Sequence, residues 1–226
     1  MENRIIQTPL VLLAGGQSSR MGEPKGLLRF GKRRWIEEQL HRFSFCGNKA
    51  VVVLGYDHEK YLDAIPAFQD ALQLWAPWPL PHREELQLSV TVNQKPENGP
   101  FSSLGRGLNR LLPDSDAFIL PVDVPVAVPE VWRLLETRGR QRKLSACIPE
   151  HQGKRGHPVW LSSRFAAHLR TLAPESPDSR LDQQIAALAQ PLRDTIEVTD
   201  PKVTWNMNTP QEFADIKQRL SKEFVP

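Results

Sequence analysis

The sequence predicts an α/β fold: a mostly parallel sheet with helices on both faces, three layers in all. Leu10–Ala14 is an unbroken apolar run ended by Gly15 and Gly16, which reads as a strand buried on both faces. Trp35, Ile36, Leu40 and Phe43 then recur at helical spacing, and Lys49–Gly55 is a second, β-branched run. Strand, helix, strand in succession is the signature of a parallel crossover. At 226 residues, 40% hydrophobic and 24% charged, the chain can build one sizeable core and does not have a disordered composition.

Several classes of function are disfavoured at once. The net charge of +3 is mild, and no long basic stripe is interleaved with aromatics, which argues against nucleic acid. Arg20, Lys25, Arg29, Lys32, Arg33 and Arg34 instead cluster early, as suits a small anionic ligand. No apolar run has membrane-spanning length, and the start of the chain does not read as a secretory leader. Cys46 and Cys147 lie far apart in apolar surroundings, with no zinc-like Cys/His spacing. The expectation is a cytoplasmic protein with two buried thiols.

Taken in order, the first strand delivers Gly15-Gly16-Gln17-Ser18-Ser19-Arg20 and then Lys25. The glycines admit a ligand close to the backbone, Ser18, Ser19 and nearby N–H groups can donate to phosphate oxygens, and Arg20 and Lys25 bring positive charge. The loop is neither G-x-G-x-x-G nor a P-loop, since Glu23 and Pro24 separate Gly22 from Lys25. A nucleoside triphosphate suits it. Residues 27–32 read as a short extended piece and turn, and the first helix as about 33–45. Residues 56–85 are broken by Pro66, Pro77, Pro79 and Pro81; Trp75 and Trp78 are expected in the core, and Asp57-His58-Glu59 reads as a solvated turn, not a metal site.

Leu86–Val92 alternates with period two as a strand, and Asn93 and Gly99-Pro100-Phe101-Ser102-Ser103 lead into a helix with Leu104, Leu108, Leu111 and Leu112 inward. Gly99 permits close approach of a base, and Ser102 and Ser103 either bind ribose or base or simply cap that helix. An apolar strand from Asp116 then delivers Asp123 at the carboxyl edge, where open α/β sheets bind ligands. A carboxylate there either holds a cation or accepts several hydrogen bonds, and beside a triphosphate Mg2+ is the natural partner.

Pro129 opens a helix carrying Val131, Trp132, Leu134 and Leu135, residues 138–143 read as a basic turn, and 144–149 as a strand. A glycine turn then gathers Lys154, Arg155 and His157 before another apolar strand; His157 is either structural or a hydrogen-bonding partner of a ligand. Phe165, Leu169 and Leu172 mark one helix, Leu181, Ile185 and Leu188 another, and 194–199 a late strand. Thr209 and Pro210 open the last helix, with Glu212 in its first turn and Phe213, Ile216 and Leu220 buried; Asn206 or Asn208 can reach a metal or phosphate, or can serve that helix start alone.

These segments together resemble the nucleotidyltransferase superfamily, in particular its molybdenum-cofactor cytidylyl/guanylyltransferase branch (MobA/MocA-like). The matching residues are Leu13-Ala14-Gly15-Gly16 through Arg20-Met21-Gly22 and Lys25, Gly99 through Ser102-Ser103-Leu104, Asp123-Val124-Pro125, Arg155-Gly156-His157-Pro158-Val159, and Asn206-Met207-Asn208-Thr209-Pro210. The segment Pro177-Asp178-Ser179-Arg180-Leu181-Asp182 lacks the glycines that cytidylyl members carry there.

The resemblance implies a Rossmann-like sheet of the nucleotide-diphospho-sugar transferase type in one domain over 1–226, with a nucleotide-binding part at about 8–125 and an acceptor-binding part at about 126–205. It implies Mg2+-dependent transfer of CMP, slightly ahead of GMP, from CTP or GTP to the phosphate of molybdopterin, with release of pyrophosphate. Leu13, Ala14, Gly15, Gly16, Ser18, Ser19, Arg20, Lys25, Asn93, Gly99, Ser102 and Ser103 would hold the nucleotide. Arg20, Lys25 and Asp123 would be catalytic, Asp123 with Asn206 and Asn208 would bind metal, and Lys154, Arg155 and His157 would meet the acceptor. The alternatives are a sugar- or polyol-phosphate nucleotidyltransferase, and a non-catalytic nucleotide-binding partner or chaperone of a molybdoenzyme.

Overall fold

The computed structural model describes residues 5–78, 80, 86–176 and 179–223. The strands are β1 (Leu10–Ala14), β2 (Arg29–Phe30), β3 (Arg33–Arg34), β4 (Lys49–Leu54), β5 (Ala76–Trp78), β6 (Leu86–Val92), β7 (Ala117–Pro121), β8 (Ala146–His151), β9 (Lys154–Arg155), β10 (Val159–Leu161) and β11 (Arg193–Glu197). The helices are α1 (Trp35–Phe43), α2 (His58–Ala64), α3 (Pro66–Asp70), α4 (Pro100–Leu108), α5 (Pro129–Gln141), α6 (Ser163–Thr171), α7 (Leu181–Ala187) and α8 (Pro210–Leu220).

The main sheet runs β11-β8-β10-β7-β1-β4-β6-β5, with β9 folded back on β8. Its centre, β7-β1-β4-β6, is parallel throughout; β10 enters antiparallel between β7 and β8. Strand β1 lies between two parallel partners, Leu10 opposite both Ala50 and Phe118, so both its faces are covered. Leu10, Leu12 and Ala14 join a core with Trp35, Leu40, Trp132 and Phe213 of α1, α5 and α8. Val11 joins the opposite core with Phe101, Leu108, Phe165 and Ile185 of α4, α6 and α7. The three-layer expectation holds, and the parallel strands bring Ala14, Val92 and Pro121 to one edge. Each is followed by a segment singled out above.

Several details differ. Helix α1 begins only at Trp35, because Arg33 and Arg34 pair with Phe30 and Arg29 as a small hairpin. Pro66 stands at the start of α3 and Pro77 in the edge strand β5, both positions where a missing N–H is tolerated. Pro79, Pro81, Pro177 and Asp178 lie outside the described residues. Asp57 and His58 begin α2 and do not form a free turn, with Asp57 paired to Lys60; among the described residues no cluster of three or more His, Cys, Asp or Glu could hold a metal.

Trp78 is buried against Phe68, but Trp75 is 41% exposed, since residues three apart in extended chain face opposite ways. Leu112 is 70% exposed because α4 ends at Leu108, and Leu134 is 42% exposed because it falls off the stripe formed by Val131, Trp132 and Leu135. The basic residues after Arg138 are largely helical: α5 continues to Gln141, with Arg138 and Arg142 paired to Asp194 and Arg140 to Asp116. Cys46 and Cys147 are free and buried, and burial pushes the Cys147 thiol up to about 12. No described helix is long and apolar enough to cross a membrane.

Candidate active site

The loop after β1 is shaped by contacts among small residues. A Cβ on Gly15 would stand 2.8 Å from Ser103 Oγ, and one on Gly55 would stand 2.6 Å from the Gly15 carbonyl, so β1, β4 and α4 meet here only because both residues are glycine. Beyond the exposed Gly16 the chain turns at Ser18, whose φ is +53°. The Ser18 carbonyl accepts from Met21 N at 2.9 Å and its Oγ accepts from Lys25 N at 3.1 Å, which folds the loop back on itself. Met21 is buried beneath, while Ser19 and Arg20 are exposed. Next along, Gly26 N donates to the Tyr61 hydroxyl at 3.1 Å; burial raises that phenol well above its usual range.

Lys25 is the centre of the arrangement. Its Nζ donates to Asp123 Oδ2 at 2.7 Å and to Asn208 Oδ1 at 3.0 Å, joining the first loop, the end of β7 and the segment before α8. The pair is half-shielded, with side chains 14% and 23% exposed, so the attraction exceeds that of a fully solvated pair. Asn208 is held by α8: Glu212 Oε2 accepts from the backbone N–H of Asn208 at 2.7 Å and of Thr209 at 2.9 Å, and Thr209 Oγ1 accepts from Glu212 N. That capping box, with the Asn208 N–H its main contributor, keeps the Glu212 carboxyl below its usual pKa range. Asn206 is exposed and outside the cluster.

Two oxygens, one anionic and one amide, therefore converge on a single positive charge. Such hard donors suit a cation of the Mg2+ class, which retains water and needs only one or two carboxylates when phosphates complete its shell. Asp123 and Asn208 fit that requirement.

The Asn93 group proves to be internally satisfied. Asn93 Nδ2 donates to Ser102 Oγ at 2.7 Å and Ser103 Oγ at 3.0 Å, its Oδ1 accepts from Lys95 N, and Ser102 Oγ donates to the Gly99 carbonyl at 2.7 Å. All three side chains are buried. They build the turn at Gly99, φ +81°, and Asn98 and Gly99 of that turn line the adjoining cavity, whereas Asn93, Ser102 and Ser103 do not.

That cavity, about 930 Å3, opens beside the same edge on the α4 and α7 face. Leu13, Pro121, Phe101, Ile119, Val159 and Ile185 give it apolar walls, and Arg155, His157 and Arg180 also line it. Lys154 is not among its walls and stays exposed on the β8–β9 hairpin. His157 N donates to the Val203 carbonyl at 2.8 Å, and its buried Nδ1 has no partner among the described residues. Burial lowers the imidazole pKa, opposed by a hydrogen bond to the Ile119 backbone and by the charge of Asp123. Burial thus favours the uncharged form of His157, and the Asp123 charge opposes it.

Sequence reasoning missed the residues that hold the Asp123 loop. Trp35 Nε1 donates to the Val122 carbonyl at 2.6 Å, and Gln39, fully buried on α1, bonds Val124 and Val126. The available signal was a glutamine four residues after Trp35, on the apolar stripe of a helix.

Comparison with known proteins agrees with this geometry. The family model of the MobA-like NTP transferase domain matches residues 10–190. A probable molybdenum cofactor guanylyltransferase of Bacillus cereus (strain G9842) is 23% identical over 218 residues, covering 94% of this chain and 97% of the relative. Among solved structures, molybdopterin-guanine dinucleotide biosynthesis protein A of Archaeoglobus fulgidus superposes with a TM-score of 0.68 at 17% identity, covering 96% of this chain and 100% of that one. Rv0371C of Mycobacterium tuberculosis, solved in complex with manganese, superposes with a TM-score of 0.65 at 17% identity, covering 94% and 99%. The shared fold is the nucleotide-diphospho-sugar transferase type.

Proposed function

The chain belongs to the MobA-like NTP transferase family and is thus a nucleotidyltransferase; on that premise we propose that it transfers a nucleotide from an NTP to the phosphate of molybdopterin in the presence of Mg2+, releasing pyrophosphate. The observation that carries this reading is the convergence of Lys25, Asp123 and Asn208 at the sheet edge, next to an apolar cavity with Arg155 on its wall.

In this reading the first loop receives the triphosphate, with the backbone at Gly15 and Gly16 close to it and Ser18, Ser19 and Arg20 donating to its oxygens. Lys25 exchanges its contact with Asp123 for one to a phosphate oxygen and stabilises the charge that builds as pyrophosphate departs. Asp123 and Asn208 hold the divalent cation, with Asn206 free to reach it. Mg2+, when bound, supplies charge neutralisation and Lewis acidity at the α-phosphate. The manganese complex of the mycobacterial neighbour supports a divalent cation in this fold. The acceptor phosphate is itself the nucleophile, so a general base is not required. Arg155 attracts that phosphate, with Lys154 adding positive potential from outside. His157, on the cavity wall with Nδ1 unpartnered among the described residues, can hydrogen-bond the acceptor. The Asn93, Ser102 and Ser103 network acts on the nucleotide indirectly, by shaping the Gly99 turn.

The apolar walls at Leu13, Phe101, Ile119 and Ile185 can pack a fused heteroaromatic acceptor, while Arg155, Ser179, Arg180 and Asp182 offer polar partners for its substituents. The Gly99–Leu104 and Arg155–Val159 segments lean towards CTP. The name of the Bacillus cereus relative and the Leu13–Gly16 and Asn206–Pro210 segments lean towards GTP, which we take as the donor.

The test is pyrophosphate release with Mg2+ and each of the four common NTPs, with and without molybdopterin. Release with GTP only when the pterin is present is expected. Release with CTP instead would keep the reaction and change the donor. Nucleotide binding without release, unless a sugar or polyol phosphate is added, would overturn the acceptor. Binding without release under every pairing would make the protein a nucleotide-binding partner of a molybdoenzyme.

A further inference from the structure

We infer that Gln39, assisted by Trp35, is a positioning residue that holds Asp123 in place and thereby sets the affinity of the site for its divalent cation. The inference rests on reading Asp123 as a cation ligand.

Gln39 sits in the middle of α1 and is 0% exposed. A buried primary amide without hydrogen-bond partners is destabilising, so a side chain in this position needs them. They are the loop after β7, not the helix. Gln39 Nε2 donates to the Val124 carbonyl at 2.6 Å, with a longer approach to the Val122 carbonyl at 3.4 Å, and Oε1 accepts from Val126 N at 2.9 Å. One side chain thus offers a donor and an acceptor to the loop after β7, whose own backbone bonds are Val122 N to the Leu13 carbonyl of β1 at 2.9 Å and Val124 N to the Pro121 carbonyl at 3.1 Å. Pro125, between the two gripped residues, has no N–H to offer the loop itself.

The Trp35 indole, one helical turn earlier on the same face, donates to the Val122 carbonyl at 2.6 Å. From the opposite side, Met207 N donates to the Asp123 carbonyl at 2.9 Å. The carbonyls of Val122, Asp123 and Val124 are therefore each taken by a donor from outside the loop. Because peptide units are planar, fixing the first two fixes the backbone torsions at Asp123 and leaves its side chain the freedom of rotamers alone. Gln39 fixes the third and the residue after Pro125. Met207 belongs to the segment that carries Asn208, so both oxygens that meet Lys25 are tied to one frame.

Outer partners of metal ligands typically carry about 10–100-fold in metal affinity, which sets the expected effect. Gln39→Met keeps the length and removes both polar contacts. Mn2+ alone would be titrated against the full-length protein and followed by electron paramagnetic resonance, with binding of GTP without metal measured alongside. The expected result is Mn2+ affinity weakened by about 10-fold or more, with metal-free GTP affinity within about twofold of wild type. Purely structural damage would lower both. Wild-type Mn2+ affinity in a folded Gln39→Met protein would overturn the inference, as would equal losses of Mn2+ and GTP binding. Should Gln39→Met fail to fold, Trp35→Phe decides on the same two readouts. It keeps an aromatic ring and deletes only the indole donor, and a severalfold loss confined to Mn2+ is expected. Asp123→Asn separates the two readings: if it binds Mn2+ like wild type, Asp123 is not a cation ligand and the proposed function loses its metal site. If it loses Mn2+ while the Gln39 and Trp35 variants do not, only the positioning role fails.

Discussion

A single ammonium group connects three distant stretches of sequence, and its removal is the sharpest test of the chemistry. Lys25→Ala should lower pyrophosphate release by about 10²–10³-fold, the range for losing one preorganised charge at a reacting phosphate. Lys25→Arg should recover only part, because a planar guanidinium cannot take the place of a compact ammonium between Asp123 and Asn208. Asp123→Ala should abolish the Mg2+-dependent part of the activity, and unchanged Mg2+ dependence would refute its role. His157 yields a pH prediction. Its pKa is lowered in the folded protein, so below about 6.5 the unfolded chain takes up a proton that the folded chain resists. Stability is therefore full above that value and declines as the pH falls towards the folded pKa. Urea midpoints at about pH 7.5 and about pH 5 should fall further for wild type than for His157→Gln. Lys25 and Asp123 were legible because charged groups beside apolar runs have few bland explanations, whereas Asn206 and Asn208 were alternatives to each other and each could have served the start of α8 alone. Gln39 was not legible, although it lies on the apolar stripe of α1, because the sequence gives a buried amide there no identifiable partner.

At the scale of elements, close approach and capping decide how the site is framed. Helix α4 packs on the sheet through Gly107, where a Cβ would overlap the side chains of Val11 and Val53. Helix propensity alone predicts that Gly107→Ala stabilises by about 0.5–1 kcal/mol. Packing predicts the reverse, a loss of about 1–3 kcal/mol, and packing should win because neither valine is a flexible side chain. Chemical denaturation distinguishes the signs. At the other end of the site, Thr209→Ala removes the hydroxyl that caps α8 and should cost about 1 kcal/mol of stability by the same measurement. The capping box was readable from Thr209, Pro210 and Glu212. The helical continuation of α5 through Arg138 and Arg140 was not. Four basic residues within six positions look solvated in sequence, whereas in the fold Asp116, Glu136 and Asp194 neutralise most of them.

For the whole molecule, the decisive feature is one continuous sheet. Strands β8, β10 and β11, from the stretch expected to meet the acceptor, extend the sheet that β1, β4, β6 and β7 begin. Unfolding followed by tryptophan fluorescence and by far-ultraviolet circular dichroism should therefore give coincident transitions, and two separated midpoints would mean that the two parts fold independently. The sequence by itself determined the α/β class, the main strands and helices outside residues 56–85, the family resemblance and the segments bearing the site. Each of those depends on local periodicity or on residue types at fixed short spacing. Only the tertiary structure decided that Lys25 lies between Asp123 and Asn208 while Asn206 stays outside, that Asn93, Ser102 and Ser103 satisfy one another, that Arg155 but not Lys154 lines the cavity, and that α1 grips the Asp123 loop. Those outcomes depend on strand order and on which side chains meet across the packed interior. No short-range pattern encodes the meeting of Lys25, Asp123 and Asn208, because it requires segments far apart in sequence to end at the same sheet edge.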